Sequence, residues 1–388
     1  MNVDQPRVAI LTDYLLHPTD SCLMLTSENF YLLELARFIQ EELGWSVDVF
    51  QVSPIPERRF NGLNVKGIDA PPDSNGMYQT LNFSFFRAGL AYDLRIYHHW
   101  HLAFPQVCHR SIVISQGIFW DSPAGVINRQ NSVGREEWEK RLLYAVAAPA
   151  RFVAQDRNTV NVIKATWPGY EHRLLYLPPG VDLERYQPPA SRPAAERVRV
   201  LCPQDFGLEQ GINEIISLAE LLVEAAPEVE LHIVGRMSEF STAILLAKRI
   251  RALENCRFYW VPTTHLAELY RTFDLALLPY RAGVGVSIHC LRAMACGLPI
   301  VAGLAGGLAE MSIDGWNGRL VPPGSARILL EAVVQLARDR DLRLRMGENA
   351  RRLAEGYPLS AWKQRWKDLL ARTMAAASPG IDAGALED

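Results

Sequence analysis

The sequence has few cysteines, and none of them are paired. Six cysteines stand singly, and no Cys-x-x-Cys motif occurs. A disulfide framework or a structural zinc site needs cysteines at close, regular spacing. The pattern therefore predicts six reduced thiols and no metal site. The six residues are Cys22, Cys108, Cys202, Cys256, Cys290 and Cys296.

Three other features are also missing. No run of about eighteen apolar residues occurs, so we expect no membrane-spanning helix. The N-terminus, MNVDQPRVAILTDYLL, has no basic start, so we expect no secretory signal and a cytoplasmic protein. The net charge of −3 gives no electrostatic reason to expect nucleic acid as a partner.

What the chain does contain is an alternation of strand and helix patterns. With 388 residues and 49% hydrophobic content, it is long for one core and favours two domains. Short apolar runs typical of buried parallel strands alternate with segments of helical apolar spacing. We therefore predict an α/β protein with two Rossmann-like, doubly wound domains. The predicted strands are RVAILT from Arg7, SVDVFQ from Ser46, LRIYHHW from Leu94, SIVIS from Ser111, RFVAQ from Arg151, a strand near 173–177, VRVLC from Val198, ELHIV from Glu230, CRFYW from Cys256, DLALL from Asp274 and PIVA from Pro299. The predicted helices cover 27–43, 136–147, 157–165, 210–225, 240–253, 264–272, 286–296, 326–337, 341–354 and 360–374.

A proline-rich segment divides the chain. Residues 178–197 read PPGVDLERYQPPASRPAAER after Leu177, a composition that excludes a helix or a central strand. We predict an N-terminal domain over 1–178, a linker over 179–197, a C-terminal domain over 198–359 and a disordered tail over 376–388. The helix of about 360–375 carries Trp362 and Trp366 on one face. It either returns to the N-terminal domain or makes a peripheral contact with a membrane surface.

The richest motif is PYRAGVGVSIHCLRAMACG, from Pro279. Its glycines, Gly283 and Gly285, separate a strand from a helix, and the amides of Val286 and Ser287 start that helix. Such amides bind anions, because they carry unpaired N–H groups at the positive end of the helix dipole. An ordinary tight connection between strand and helix is the alternative.

The stretch from Leu291 to Pro323, LRAMACGLPIVAGLAGGLAEMSIDGWNGRLVPP, resembles the donor-site segment of family 4 glycosyltransferases. PPGVDLERY in the linker is also similar to a segment of that family. The resemblance implies two domains of the GT-B type facing a cleft, and transfer of a sugar with retention from a nucleotide-sugar donor. It implies neither an obligatory metal nor another cofactor. The acceptor, an unknown glycan, lipid or small molecule, and the oligomeric state stay open.

The resemblance also assigns donor-side residues. Gly283, Gly285, Val286 and Ser287 match the phosphate-binding loop, and Gly306, Gly307 and Glu310 match a second loop beside the donor. The family carries two glutamates eight positions apart, where this chain has Val284 and Arg292. A basic pair of the family is replaced by Asp205 and Gln210. The arginines that could compensate, or that are solvated or structural instead, are Arg236, Arg281 and Arg292.

In the first domain, Gln116 stands where many relatives have a histidine near the reacting sugar carbon. The resemblance therefore places Gln116 and Glu310 at the catalytic centre. Expected acceptor contacts come from the ends of the first strands and from an aromatic–carboxylate pair, although a core tryptophan with a capping aspartate explains that pair equally well. These residues are Asp13, Thr26, His99, Trp120 and Asp121.

Two functions follow from these residues. The first is a glycosyltransferase that uses electrostatic stabilisation of the leaving phosphate. The second is a catalytically degenerate relative that binds a sugar, a nucleotide or a partner enzyme, because several charged positions are replaced. A two-domain epimerase is a weaker third reading, since the cleft offers no acid/base pair for it.

Overall fold

A computed structural model describes residues 5–20, 22–24, 26–71, 74–108, 110–118, 135–192, 196–203, 210–235, 248–259, 261–281 and 285–375. Within these ranges the chain forms two sheets, one in each half, as the alternating pattern predicts. Inside the described part, no helix combines the length and apolar character needed to cross a bilayer.

The first sheet has eight strands in the described residues, ordered β3-β4-β2-β1-β5-β6-β7-β8. All neighbours pair in parallel except β3 and β4, which form an antiparallel hairpin. The strand order reverses between β1 and β5, which is where open α/β sheets bind ligands. The strands are β1 Arg7–Leu11, β2 Ser46–Val52, β3 Glu57–Phe60, β4 Leu63–Ile68, β5 Leu94–Tyr97, β6 Ser111–Ser115, β7 Arg151–Ala154 and β8 Leu174–Tyr176.

The second sheet has six parallel strands in the described residues, ordered β11-β10-β9-β12-β13-β14. Its order reverses between β9 and β12, so the loop after β12 lies at the corresponding ligand position. This loop is the glycine-bearing segment from Pro279. The strands are β9 Val198–Pro203, β10 Val229–Val234, β11 Cys256–Tyr259, β12 Leu275–Leu278, β13 Ile300–Gly303 and β14 Gly318–Val321.

The helices cover the sheets. Helix α1 continues into a π-helical turn over Phe38–Glu42, close to the predicted end at residue 43. The α-helices of the described residues are α1 Ser27–Arg37, α2 Ser74–Gly89, α3 Arg135–Ala147, α4 Arg157–Thr166, α5 Ile212–Ala225, α6 Leu266–Arg271, α7 Ile288–Ala295, α8 Leu308–Met311, α9 Ala326–Arg338, α10 Arg340–Ala354 and α11 Leu359–Ala375. The tail over 376–388 and most of the helix predicted over 240–253 lie outside the described residues.

The last helix, α11, packs on the first half of the chain. Trp362 and Trp366 are buried, and the Trp366 indole N–H donates to the Tyr31 hydroxyl at 3.0 Å. Tyr31 and Trp362 also meet edge to face, with ring centroids 5.3 Å apart. The tryptophan face therefore contacts α1, as the first of the two alternatives for this helix required.

Candidate functional site

The loop before α7 presents backbone amides at the switch point of the second sheet. Val286 and Ser287 are 3% and 2% exposed, and the described residues provide no hydrogen-bond partner for either amide. Ser287 is the N-cap of α7, with a φ of −73°. Because buried amides are almost always paired, two unpaired ones at a helix N-terminus indicate a place for an anion.

The second glycine loop packs directly on the first. A β-carbon on Gly307 would lie 2.5 Å from the Gly285 carbonyl carbon and 2.5 Å from the Val286 nitrogen. Gly306 has a φ of +47°, which favours glycine. The two segments that resemble a donor site therefore form one surface, and any side chain at position 307 would separate them.

The first half of the chain closes over this surface. The Gly285 amide donates to the Gln116 carbonyl oxygen at 2.5 Å, and the Ile288 amide donates to the Ser27 hydroxyl at 2.8 Å. The amides of Gly285 and Ile288, on either side of Val286 and Ser287, thus have hydrogen-bond partners in the first half of the chain. The structure is a closed state in which protein groups satisfy part of the expected anion site.

Glu310 makes a second contact between the halves. Its carboxylate accepts from the amides of Arg157 and Asn158, the second at 3.2 Å, and from the Tyr176 hydroxyl at 3.1 Å. These amides begin α4, so Glu310 adds a negative charge at the positive end of that helix. Burial raises the pKa of Glu310, while the amides and Tyr176 act in the opposite direction.

The two described arginines of the donor-side prediction have protein partners. The guanidinium carbon of Arg292 lies 4.3 Å from the ring centroid of Phe30 and 5.2 Å from that of Tyr186. Arg292 therefore bridges α7, α1 and the linker by cation–π contacts rather than lying open beside the loop. Arg281 pairs with the buried Glu214, with Nε and Oε1 3.4 Å apart.

Gln116 lies beside His98 at the carboxyl end of the first sheet. Its amide nitrogen is 2.6 Å from Nε2 of His98, whose Nδ1 is 3.0 Å from the Thr12 hydroxyl. Burial lowers the pKa of His98 well below its ordinary value, so the imidazole is neutral. The resemblance implies a histidine at position 116. In this chain the titratable group near that position is thus His98, which contacts Gln116.

The acceptor-side residues separate into two groups. Thr26 caps α1, since its hydroxyl accepts from the Asn29 amide at 3.1 Å. Asp13 pairs with His101, whose Nε2 is 3.1 Å from Oδ2. His99 stacks on His101, with the ring centroids 5.3 Å apart and the planes inclined by 15°. Asp13 and His99 therefore both contact His101, and Thr26 has a structural contact.

Four of the predicted site residues lie outside the described residues: Gly283, Trp120, Asp121 and Arg236. The replaced family positions Val284 and Asp205 also lie outside them. The residues that the sequence interpretation missed are Ser27, Tyr176 and the start of α4, which approach the second domain from the first. No sequence signal marks them, because their role depends on how the two sheets face each other.

Part of the chain matches a known protein family. Residues 187–353, which include the whole second sheet, match the family model described as "Glycosyl transferases group 1". A D-inositol 3-phosphate glycosyltransferase of Geodermatophilus obscurus is 26% identical over 90% of this chain and 84% of its own length.

Two solved structures show the fold. Sucrose-phosphate synthase of Thermosynechococcus elongatus superposes with a TM-score of 0.73 at 18% identity, covering 96% of this chain and all of that one. HepE of Anabaena, in complex with UDP and glucose, gives 0.71 at 16% identity, covering 95% of this chain and all of its own. The chain has the two-domain GT-B fold, and the family match and the curated relative support a glycosyltransferase.

Proposed function

We propose that this chain transfers a hexosyl group, with retention, from a nucleotide sugar on its second domain to an acceptor on its first, as a family 4-like enzyme. The observation that carries the proposal is the buried pair of amides at Val286 and Ser287, which have no hydrogen-bond partner among the described residues. They lie at the N-terminus of α7 and at the switch point of a sheet, inside the segment that matches the glycosyltransferase model.

In the proposed reaction the acceptor oxygen bonds to the anomeric carbon. The bond from that carbon to the diphosphate oxygen breaks, and the nucleoside diphosphate leaves with the electron pair while the acceptor hydroxyl loses its proton. The amides of Val286 and Ser287 would stabilise the negative charge on the leaving group, an effect that needs no titratable side chain. Such stabilisation would act without the acidic pair that the family resemblance leads one to expect at Val284 and Arg292.

Donor binding then requires that the hydrogen bonds between the two halves of the chain break. The Gln116 carbonyl and the Ser27 hydroxyl accept hydrogen bonds from the amides of Gly285 and Ile288, on both sides of Val286 and Ser287. A diphosphate has more acceptor oxygens than these two groups and carries charge, so it can replace them at the same amides. We infer that the nucleotide enters as the halves part and that the cleft closes again around it.

The solved HepE complex contains UDP and glucose, which makes UDP the first nucleotide to test here. The curated relative is named for D-inositol 3-phosphate, which makes a polyol the first class of acceptor. We propose both for this chain. We also propose a peripheral membrane contact for the case in which the acceptor is a lipid.

The test is a turnover assay with UDP-, GDP- and ADP-sugars, read as release of nucleoside diphosphate, together with melting curves in the presence of UDP, GDP and ADP. We expect one nucleotide to raise the melting temperature and the matching sugar nucleotide to be consumed. A nucleotide that binds without turnover would identify the degenerate, sugar- or nucleotide-binding alternative. No shift with any nucleotide would contradict the donor site itself.

A further inference from the structure

A cluster of Asp13, His99 and His101, which we call the Asp–His cluster, lies at the switch point of the first sheet. Asp13 follows β1 and the two histidines follow β5, the neighbouring strands between which the strand order reverses. Parallel strands end at one edge, and crevices at this position bind ligands in open α/β sheets. The cluster therefore lies at the ligand position of the domain opposite the donor loop.

The cluster is continuous with the contact between the halves. The ring of His99 lies 4.5 Å from that of His98, which contacts Gln116, and the Gln116 carbonyl accepts from Gly285. A molecule beside His99 would thus lie next to the proposed donor loop. His99 is half-buried, and the described residues provide no hydrogen-bond partner for its ring nitrogens.

The charge of the cluster is negative or neutral. The pKa of Asp13 is lowered, because its pairing with His101 outweighs the effect of burial. Burial lowers the pKa of His99 to about 4, so its imidazole is neutral near pH 7. His98 is neutral as well, and burial raises the pKa of the adjacent Tyr14. The anionic carboxylate is therefore the fixed charge of this site.

An aromatic face completes the cluster. The ring centroid of Tyr78, on α2, lies 4.7 Å from that of His101, and the Tyr78 side chain is half-buried. Sugars and cyclitols bind through ring C–H groups on aromatic faces and through hydroxyls on carboxylate and imidazole acceptors. A phosphate group needs cationic or amide donors instead, and a carboxylate repels it.

We propose that the Asp–His cluster binds the hydroxyls of a neutral polyhydroxyl acceptor, a sugar or cyclitol ring without phosphate on the bound ring. The proposal rests on the proposed glycosyltransferase function and adds an acceptor class to it. Asp13 and His99 would accept hydrogen bonds from the acceptor, and His101 would position Asp13.

The experiment compares neutral and phosphorylated probes on the full chain. Glucose and myo-inositol are tested against glucose 6-phosphate and myo-inositol 1-phosphate. The acceptor-dependent rate is measured with the sugar nucleotide that the turnover assay identifies. Saturation-transfer NMR, in the presence of the matching nucleoside diphosphate, reports acceptor binding without turnover. We expect the neutral probes to bind and react in preference to the phosphorylated ones.

Two variants sharpen the test. Asp13→Asn removes the charge and keeps the shape, so the ratio of kcat/KM for neutral over phosphorylated probe should fall at least about tenfold, through KM. His101→Gln should move the same ratio less, because His101 acts through Asp13. Asp341→Asn, an exposed aspartate on α10, is the matched control and should leave the ratio unchanged.

Failure of the acceptor proposal can be separated from failure of the proposed function. Release of nucleoside diphosphate by hydrolysis of the donor in water needs no acceptor, so it is measured in wild type and in the control variant Asp341→Asn. If hydrolysis is present but wild type prefers the phosphorylated probes, or Asp13→Asn leaves the preference unchanged, the acceptor proposal is overturned. If no nucleotide binds at all, the donor assignment fails instead.

Discussion

At the scale of single residues, the site depends on backbone groups more than on side chains. Two glycine-bearing loops meet here, and the contact between them leaves no room for side chains. Gly307 packs against the peptide between Gly285 and Val286 so closely that a β-carbon would overlap it at 2.5 Å. A methyl group at this position would push the donor loop away from its neighbour.

Gly307→Ala is therefore expected to weaken nucleotide binding more than it weakens the fold. Displaced loops lose the alignment of the Val286 and Ser287 amides, while the sheet beneath them is unchanged. Calorimetric titration with the binding nucleotide and urea unfolding measure the two effects. Gly89→Ala is a control, because its added carbon meets ordinary contacts at 3.4 Å. Equal nucleotide affinity in Gly307→Ala and wild type would contradict the assignment.

The buried histidines predict a pH dependence of stability. Burial lowers the pKa of His99 to about 4, and burial also lowers the pKa of His98 well below its ordinary value. The unfolded chain binds protons near pH 6.5, so between about pH 4 and 6.5 it carries more protons on these residues than the folded chain does. Stability should therefore rise with pH across that window, by up to about 1.4 kcal/mol per pH unit for each histidine.

Urea unfolding at several pH values checks this dependence. His99→Gln should reduce the slope between pH 4 and 6.5, and His265→Gln, at an exposed histidine, serves as the control. A slope that is unchanged in His99→Gln would show that this imidazole is not held neutral.

At the scale of elements, the sequence predicts most of the fold. The first strand and helix, the linker and the alternating second half agree with the structure within a few residues. The hairpin of β3 and β4 was missed, although the dipeptide Asn61-Gly62 is a turn signal in the sequence. In the structure both residues have a positive φ at the turn. Helix α2 was missed although Met77, Leu81 and Phe85 are buried at helical spacing.

The site was less predictable than the fold. The loops that resemble a known family could be located in the sequence, but the residues that contact them could not. Glu310 accepts from the Asn158 amide of α4, 152 residues earlier in the sequence, and the Ser27 hydroxyl reaches Ile288 across the cleft. Such contacts depend on the relative position of two sheets, which neither periodicity nor local spacing determines.

The packing of helix α11 predicts that one core residue contributes strongly to the free energy of unfolding. Trp366 is fully buried and donates to Tyr31, so Trp366→Ala should lower the free energy of unfolding by about 3–5 kcal/mol. Lys367→Ala, on the exposed side, should change it by less than about 0.5 kcal/mol. Urea denaturation distinguishes the two. A small loss in Trp366→Ala would mean that this face does not hold α11 on the first domain.

At the scale of the molecule, the two halves are joined by the groups that a donor would need. Glu310 to α4, Ser27 to Ile288 and Gln116 to Gly285 all cross the cleft. Arg292 adds a cation–π contact to Phe30. We expect an equilibrium between this closed state and an open one, which ligands shift by binding one state better than the other.

Glu310→Ala tests this equilibrium. Losing three hydrogen bonds across the cleft should populate the open state and increase the radius of gyration in X-ray scattering. Glu348→Ala, an exposed change on α10, should leave scattering as in wild type. Superimposable curves for Glu310→Ala and wild type would show that this carboxylate does not hold the halves together.

The most direct measurement of the central claim is calorimetric titration of UDP, GDP and ADP into Ser287→Pro, Ser287→Ala and wild type. Proline suits the φ of −73° at this position but removes the amide hydrogen, whereas alanine keeps it. Circular dichroism and melting curves establish that each variant is folded. If the amides bind the diphosphate, one nucleotide binds wild type, and Ser287→Pro binds it at least about tenfold more weakly than Ser287→Ala. Equal affinity in the two variants, or no binding of any of the three nucleotides to wild type, would contradict the claim.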